Sequence, residues 1–147
     1  MAILERGESV GVKPGGNAPE ESRRILVAED NKTTAESAAK LLELLGHEVL
    51  VVHDGPQAIA AALTWRPEFI LLDIGLPAID GYAVAAHLRR EEVCCDTIII
   101  AVTGYGQEDD RRRSHEAGID HHLLKPVSSA LLLPLLSRSG TSSCAGD

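Results

Sequence analysis

The chain has 147 residues and a formal net charge of −8, with 44% hydrophobic but only 3% aromatic residues. This length allows one ordinary domain, whose core must be built from Ala, Val, Ile and Leu. The negative charge argues against direct nucleic-acid binding, because phosphate backbones attract basic surfaces. No apolar run approaches the ~20 residues that span a membrane, and the N-terminus lacks a signal-peptide pattern, so we expect a cytoplasmic protein.

The two ends of the chain differ in composition from its centre. Residues 1–22 are rich in Gly, Pro, Ser and Glu, and residues 138–147 are rich in Gly and Ser. Neither segment has the apolar periodicity of a packed element. We therefore predict a flexible tail at each end and one domain over residues 23–137.

Short aliphatic runs alternate with helical patterns between the predicted tails. Strands are predicted at 24–28, 47–53, 69–72, 97–102 and 121–124, and helices at 33–45, 55–64, 82–90, 107–117 and 128–136. The run at 24–28 is continuous and apolar, which is typical of a buried strand in a parallel sheet. Five strands alternating with five helices predict a doubly wound α/β fold, with a five-stranded parallel sheet and helices on both faces.

Polar residues follow the ends of four predicted strands. The acidic pair Glu29 and Asp30 follows the first strand, Asp73 the third, Thr103 the fourth and Lys125 the fifth. Ligands of doubly wound sheets bind outside the carboxyl ends of the strands. Each residue alone has an ordinary interpretation as a helix cap or turn, but their joint occurrence at one edge predicts a functional site.

The chemistry of these side chains indicates phosphoryl transfer. Clustered carboxylates repel one another and raise the pKa of at least one of them, a conflict that a hard divalent cation removes. Mg²⁺ prefers oxygen ligands and commonly binds one or two carboxylates together with a phosphate. Asp73 beside such an ion can act as a nucleophile toward phosphorus, while Thr103 and Lys125 can bond the phosphoryl oxygens.

Four segments resemble the signatures of response-regulator receiver domains. They are ILVAEDN, LLDIGLPAIDGY, IIIAVTGYG and HHLLKPV, and they occur in this order. The resemblance covers about residues 23–137, and its style is similar to that of receivers attached to hybrid sensor histidine kinases. It implies a flavodoxin-like strand order of 2-1-3-4-5, with Asp73 as the phospho-acceptor.

The resemblance also implies a role for each residue of the site. It implies a Mg²⁺ site built from the carboxylates of Glu29, Asp30 and Asp73 and the backbone carbonyl of Gly75. Asp30 would bind the ion directly, and Glu29 either directly or through water. Thr103 would be the switch hydroxyl, Lys125 would contact the phosphate, and the peptide bond before Pro126 would be cis.

Partners follow from the same resemblance. The phosphoryl donor would be a histidine kinase or a histidine phosphotransfer protein. The receiver itself would be a signalling module and not an enzyme, catalysing only its own phosphotransfer and dephosphorylation. Its output would be an effector bound in trans, a relay step or the remainder of a longer protein. A homodimer is left open, and direct contact with nucleic acid or membrane is not expected.

Three positions depart from the family pattern or modify it. Where the family usually has Tyr or Phe, three residues before the motif lysine, this chain has His122, which we interpret as a replacement for the aromatic switch. The alternative is a half-exposed strand residue without a switching role. Tyr105 is a second switch candidate that could shield the phosphoryl group. Pro134 falls within the last predicted helix and predicts a late start, a kink or an early end, of which we favour a short or kinked helix.

Other functions of similar topology fit less well. A metal-dependent phosphatase would carry a second Asp two residues after the nucleophile, where this chain has Gly75. A flavin carrier needs a phosphate-binding loop, and the acidic pair after the first strand would repel the flavin phosphate. An inactive receiver acting as a scaffold is disfavoured because Asp73, Thr103 and Lys125 are all present.

Overall fold

A computed structural model of the chain describes residues 22–104 and 111–136. Its strands are β1 (Arg24–Ala28), β2 (Glu48–Val52), β3 (Phe69–Asp73), β4 (Ile98–Thr103) and β5 (His121–Leu124). Its helices are α1 (Lys32–Leu44), α2 (Gly55–Trp65), α3 (Gly81–Arg89), α4 (Arg111–Ala117) and α5 (Ser129–Leu136), with a short 3-10 turn at Glu92–Cys94. The predicted strands and helices are thus found in the predicted order, and within the described residues only the 3-10 turn was not predicted.

The five strands form one parallel sheet in the order β2-β1-β3-β4-β5, which confirms the predicted topology. The register places Ala28 beside Leu72 and Asp73 beside Val102. The carboxyl ends of the strands therefore meet at one edge of the sheet, and the polar residues that follow them are brought together there.

Apolar side chains cover both faces of the sheet. One core lies under α2 and α3 and includes Leu26, Ile70, Leu72, Val84, Leu88 and Ile99. The other lies under α1 and α5 and includes Ile25, Leu42, Phe69, Ile100 and Leu132. Each fully buried Leu or Ile stabilises the fold by ~1.5–3 kcal/mol relative to an exposed one. The strands therefore form a rigid platform for the residues at their ends.

Side-chain caps fix where three helices begin. The side chains of Asn31, Asp54 and Asp80 each accept a hydrogen bond from a backbone N–H three residues later, at 2.9, 2.8 and 2.9 Å. Such caps are worth ~1 kcal/mol each. The cap at Asn31 starts α1 directly after the acidic pair that follows β1.

The final helix continues through its proline. Pro134 lies inside α5, and Leu132 and Leu136 are buried on the sheet. The alternative in which the proline ends the helix is therefore wrong, and α5 is short as far as the chain is described. The predicted tails lie outside the described residues, apart from Ser22, so the domain boundaries stay a prediction. Among the helices of residues 22–104 and 111–136, none has the length and apolar character needed to span a membrane.

Candidate functional site

Three acidic side chains meet at the carboxyl edge of the sheet. Glu29 and Asp30 follow β1, and Asp73 is the last residue of β3. One carboxylate oxygen from each lies within 4.8 Å of the others. Glu29 and Asp73 are each only 5% exposed, whereas Asp30 is exposed. The structure thus brings together the acidic residues that the sequence singled out.

Lys125 reaches into this acidic cluster from the end of β5. Its Nζ lies 2.7 Å from Oε1 of Glu29 and 3.5 Å from Oδ2 of Asp73. Its backbone N–H donates to the carbonyl of Thr103 at 2.8 Å, which joins the ends of β4 and β5. The peptide bond from Lys125 to Pro126 is cis, as the family resemblance implied.

The electrostatics of the cluster follow from burial and from its uneven charges. Burial raises the pKa of Glu29, and the charge of Asp73 raises it further, while hydrogen bonds from Lys125 and from the Asn31 N–H oppose this shift without cancelling it. Burial alone would lower the pKa of Lys125, but its contacts with Glu29 and Asp73 outweigh burial and raise that pKa. Within residues 22–104 and 111–136, the three carboxylates lie beside one ammonium group, and this surplus of negative charge is suited to a cation.

The loop after Asp73 holds its carboxylate from one side. The N–H of Gly75 donates to Oδ1 of Asp73 at 3.0 Å. Gly81, where α3 begins, packs so closely that an added Cβ would lie 2.8 Å from the carbonyl oxygen of Asp73 and 2.7 Å from the Cα of Ile74. Only glycine fits there without a shift of the backbone. This requirement, which the sequence analysis did not identify, holds the start of α3 against the end of β3.

The three predicted switch residues, Thr103, Tyr105 and His122, lie in different parts of the chain and differ in their surroundings. Thr103 is the last residue of β4 and is 6% exposed, at the same edge of the sheet as Asp73. Tyr105 lies outside the described residues, so its shielding role stays a prediction. His122 is half-buried on β5, and its Nε2 lies 2.6 Å from Oγ of Ser114 in α4.

Two contacts of the site were not predicted from the sequence. Ser114, the partner of His122, is fully buried, but a single serine in a charged helix carries no recognisable pattern. The Nδ1 atom of His53 lies 2.9 Å from the carbonyl oxygen of Glu29. Its only sequence signal is its position just after β2, the strand next to β1.

A cavity of about 210 Å³ opens beside Asp73, between α1 and the segment that follows β5. The hydroxyl groups of Thr33, Thr34 and Ser37 line its α1 side. Much of the remaining lining is apolar and comes from Val27, Ala38, Leu71, Val102 and Val127. The acidic cluster is therefore accessible from a partly apolar recess.

Comparisons with known proteins agree with this geometry. A family model described as the response regulator receiver domain matches residues 25–137. The receiver domain of the sensor histidine kinase PA1611 from Pseudomonas aeruginosa superposes with a TM-score of 0.73 and 35% identity, over 80% of this chain and 97% of that one. That structure has a magnesium ion coordinated in its active site cleft.

Curated relatives include regulators of different lengths. The phosphate regulon transcriptional regulatory protein PhoB of P. aeruginosa is 35% identical over 122 residues, which are 80% of this chain and 53% of PhoB. The polar-differentiation response regulator DivK of Brucella anthropi is 29% identical over 106 residues, which are 72% of this chain and 86% of DivK. The chain spans about half the length of most of the curated regulators that it matches.

Proposed function

The chain belongs to the response regulator receiver domain family, and on this premise we propose that Asp73 accepts a phosphoryl group in a Mg²⁺-dependent reaction. One observation carries the proposal. The Asp73 carboxylate is almost fully buried, yet it faces the further acids Glu29 and Asp30 and one ammonium group, that of Lys125. Burying such an imbalance of charge is costly unless a ligand balances it.

The donor set suits Mg²⁺. The cation would be held by carboxylates of Glu29, Asp30 and Asp73 and by the backbone carbonyl of Gly75, all of them hard oxygen ligands. When bound, Mg²⁺ would neutralise negative charge on the transferring phosphoryl group. Magnesium in the cleft of the PA1611 receiver, which is 35% identical, supports this assignment.

The residues of this chain would carry the transfer step as follows. A carboxylate oxygen of Asp73 attacks the phosphorus of a phosphohistidine on the donor. The P–N bond breaks as the new P–O bond forms, and the leaving imidazole nitrogen keeps the electron pair and takes up a proton. Lys125 exchanges its contact with Asp73 for a phosphoryl oxygen, and the hydroxyl of Thr103 donates to another.

We further propose that the donor is a histidine kinase or a histidine phosphotransfer protein. The recess of about 210 Å³ beside Asp73 would admit the donor histidine. A cytoplasmic location is proposed with this partner. An effector bound in trans, a relay step or the remainder of a longer protein remain the proposed routes of output, because the chain matches only part of the longer regulators, and a homodimer is left open.

The switch is proposed to start at Thr103. Movement of its hydroxyl toward the phosphoryl group would change the end of β4, and His122 on the neighbouring β5 would respond in place of the usual aromatic residue. Tyr105 is proposed to shield the phosphoryl group, while the exposed Gly75 leaves water an approach for dephosphorylation.

Intact-mass measurement tests the acceptor role directly. The full chain is incubated with acetyl phosphate and Mg²⁺, and we expect one added phosphoryl group that is absent in Asp73→Asn. Omitting Mg²⁺ by chelation should also prevent the addition. Glu68→Gln, which alters an acid at the opposite edge of the sheet, is the matched control and should be phosphorylated normally. A chain that never gains the phosphoryl group would be an inactive scaffold, and the proposal would be wrong.

A further inference from the structure

The hydrogen bond between Ser114 and His122 connects two elements that both lead back to the acidic site. Nε2 of His122 lies 2.6 Å from Oγ of Ser114, and the serine side chain is fully buried. Ser114 is on α4, which follows Thr103 after the short segment 104–110. His122 is on β5, three residues before Lys125. Each partner is thus attached by a short piece of chain to a group that would contact the phosphoryl oxygens.

The described part of α4 has little apolar anchorage on the sheet. Within Arg111–Ala117 the buried residues are Ser114 and Ala117, which are both small. Arg113 ties the helix to α3, because its guanidinium lies 4.3 Å from the ring centroid of Tyr82 and 3.4 Å from Oδ2 of Asp80. The bond to His122 instead ties α4 to β5. Because apolar contacts are few, this polar contact contributes much of the attachment between helix and strand.

We propose that the Ser114–His122 hydrogen bond is a latch that holds α4 on β5 in the unphosphorylated receiver and opens when Asp73 is phosphorylated. The proposal rests on the acceptor role of Asp73. It adds Ser114 as a positioning residue, which acts on the switch through His122 and touches neither the phosphoryl group nor the cation.

The bond suits a two-state device because its serine is buried. A buried hydroxyl is strongly disfavoured without a partner, so the latch is either closed or replaced by another contact. The backbone bond from Lys125 to Thr103 joins the ends of β4 and β5 on one side of the latch. A shift at Thr103 therefore also acts on the end of β5 through this bond, and so moves His122 relative to Ser114.

Amide hydrogen exchange of the full chain tests the latch. Exchange is followed in α4 and, as an internal reference, in β3 and β4, with EDTA and then with Mg²⁺ and beryllofluoride as the phosphoryl mimic. In the unmodified chain we expect the mimic to speed α4 exchange about tenfold, the change produced by loss of one buried hydrogen bond. In Ser114→Ala, α4 should exchange at the fast rate already in EDTA, and the mimic should add little.

Two variants separate a latch from an ordinary structural bond. His122→Gln keeps an amide nitrogen near the position of Nε2, so it should retain a slow α4 rate and the response to the mimic. Thr97→Val removes another buried hydroxyl, which bonds to the carbonyl of Pro67 at 3.2 Å, and it should leave α4 exchange and its response unchanged. His122→Phe removes the bond from its other end and replaces Ser114→Ala if that variant does not fold.

The outcomes distinguish the latch from the function on which it rests. If beryllofluoride perturbs the amides around Asp73 but α4 exchange does not change, the latch is wrong and the acceptor role stands. A normal α4 response in Ser114→Ala, or in His122→Phe, also overturns the latch. If beryllofluoride perturbs no amide around Asp73, both the proposed function and the latch fail.

Discussion

The two edges of the sheet treat charge in opposite ways. At the carboxyl edge, Glu29 and Asp73 are buried beside Asp30, and Lys125 is the one cation that pairs with them among the residues that the structure describes. At the amino edge, one acid is paired with one cation. There Arg23 donates to Oε1 of Glu68 at 2.8 Å, and the Glu68 side chain is 46% exposed. The same sheet therefore supports an unbalanced cluster with two buried acids at one end, and at the other a balanced pair whose acid is half-exposed.

His47, at the amino edge, is a partly buried group that avoids the cost of a buried charge without a ligand. The N–H of Arg23 donates to Nδ1 of His47 at 3.1 Å. Burial, with the charge of Arg23 in second place, lowers the pKa of His47, so the imidazole stays neutral and its burial costs little. At Glu29 burial instead raises the pKa, and the neighbouring carboxylate of Asp73 raises it further. The difference supports the proposal that the carboxyl edge binds a cation and a phosphoryl group.

Among these predictions, replacing Lys125 should have the largest effect on folding stability. In Lys125→Met the two buried acids lose the ammonium group between them. Breaking a buried ion pair costs ~3–5 kcal/mol, and because the Lys125 side chain is 26% exposed we expect a loss of ~2 kcal/mol. Urea denaturation in EDTA would measure it, and added Mg²⁺ should restore part of the loss.

The matched substitution at the other edge is Arg23→Met. It removes a cation that pairs with the half-exposed Glu68 and lies 5.7 Å from the ring centroid of Phe69. Such contacts are worth ~1 kcal/mol or less each. The distinction between the two edges would be contradicted if Arg23→Met lowered the free energy of unfolding as much as Lys125→Met does. It would also be contradicted if Mg²⁺ restored stability in both variants.

Removing the charge of Asp73 should raise the stability of the metal-free chain, by less than Lys125→Met lowers it. In EDTA, Asp73→Asn removes the repulsion that helps to raise the pKa of Glu29, so the variant should be more stable than the parent by ~1 kcal/mol. Mg²⁺ should narrow or reverse this difference in stability, because it binds the parent chain. At a Mg²⁺ concentration ten times the dissociation constant, binding stabilises the parent by ~1.4 kcal/mol. Thermal melts with and without Mg²⁺ would measure both effects. Glu68→Gln should show neither, and a loss of stability in metal-free Asp73→Asn would refute the account.

The fold and the membership of the acidic cluster could be predicted because both follow from one-dimensional patterns. Continuous aliphatic runs alternating with helical periodicity indicate a parallel sheet. The residue after each run then lies at the carboxyl edge, which places Glu29, Asp73 and Lys125 together without any knowledge of packing. The predicted helix boundaries also lie close to the observed ones, at which Asn31 and Asp80 cap their helices.

The remaining features depend on contacts between side chains far apart in the chain. The sequence does not indicate that Lys125 pairs more closely with Glu29 than with Asp73, because that depends on the length and direction of each side chain. The contact between Ser114 and His122 joins a helix to a strand and has no periodicity. The fit of Gly81 against Asp73 is a matter of backbone packing. Such details are fixed only when the elements have docked.

The smallest effect is expected at Ala78, in the loop between Asp73 and α3. Its φ of +73° lies in the left-handed region, which costs a residue with a Cβ ~1 kcal/mol or more. Glycine removes this cost but gains freedom in the unfolded chain, so Ala78→Gly should stabilise by ~0.5 kcal/mol and raise Tm by ~2 °C. At the amino edge, Arg66 has a φ of 55°, and Arg66→Gly should give a similar gain. Thermal melts in EDTA and in Mg²⁺ would separate local strain from site geometry. We expect the gain in Tm of Arg66→Gly to be the same in EDTA and in Mg²⁺, because Arg66 lies at the amino edge. If the gain of Ala78→Gly is present in EDTA but lost in Mg²⁺, the backbone strain at Ala78 is linked to the geometry of the site at the carboxyl edge.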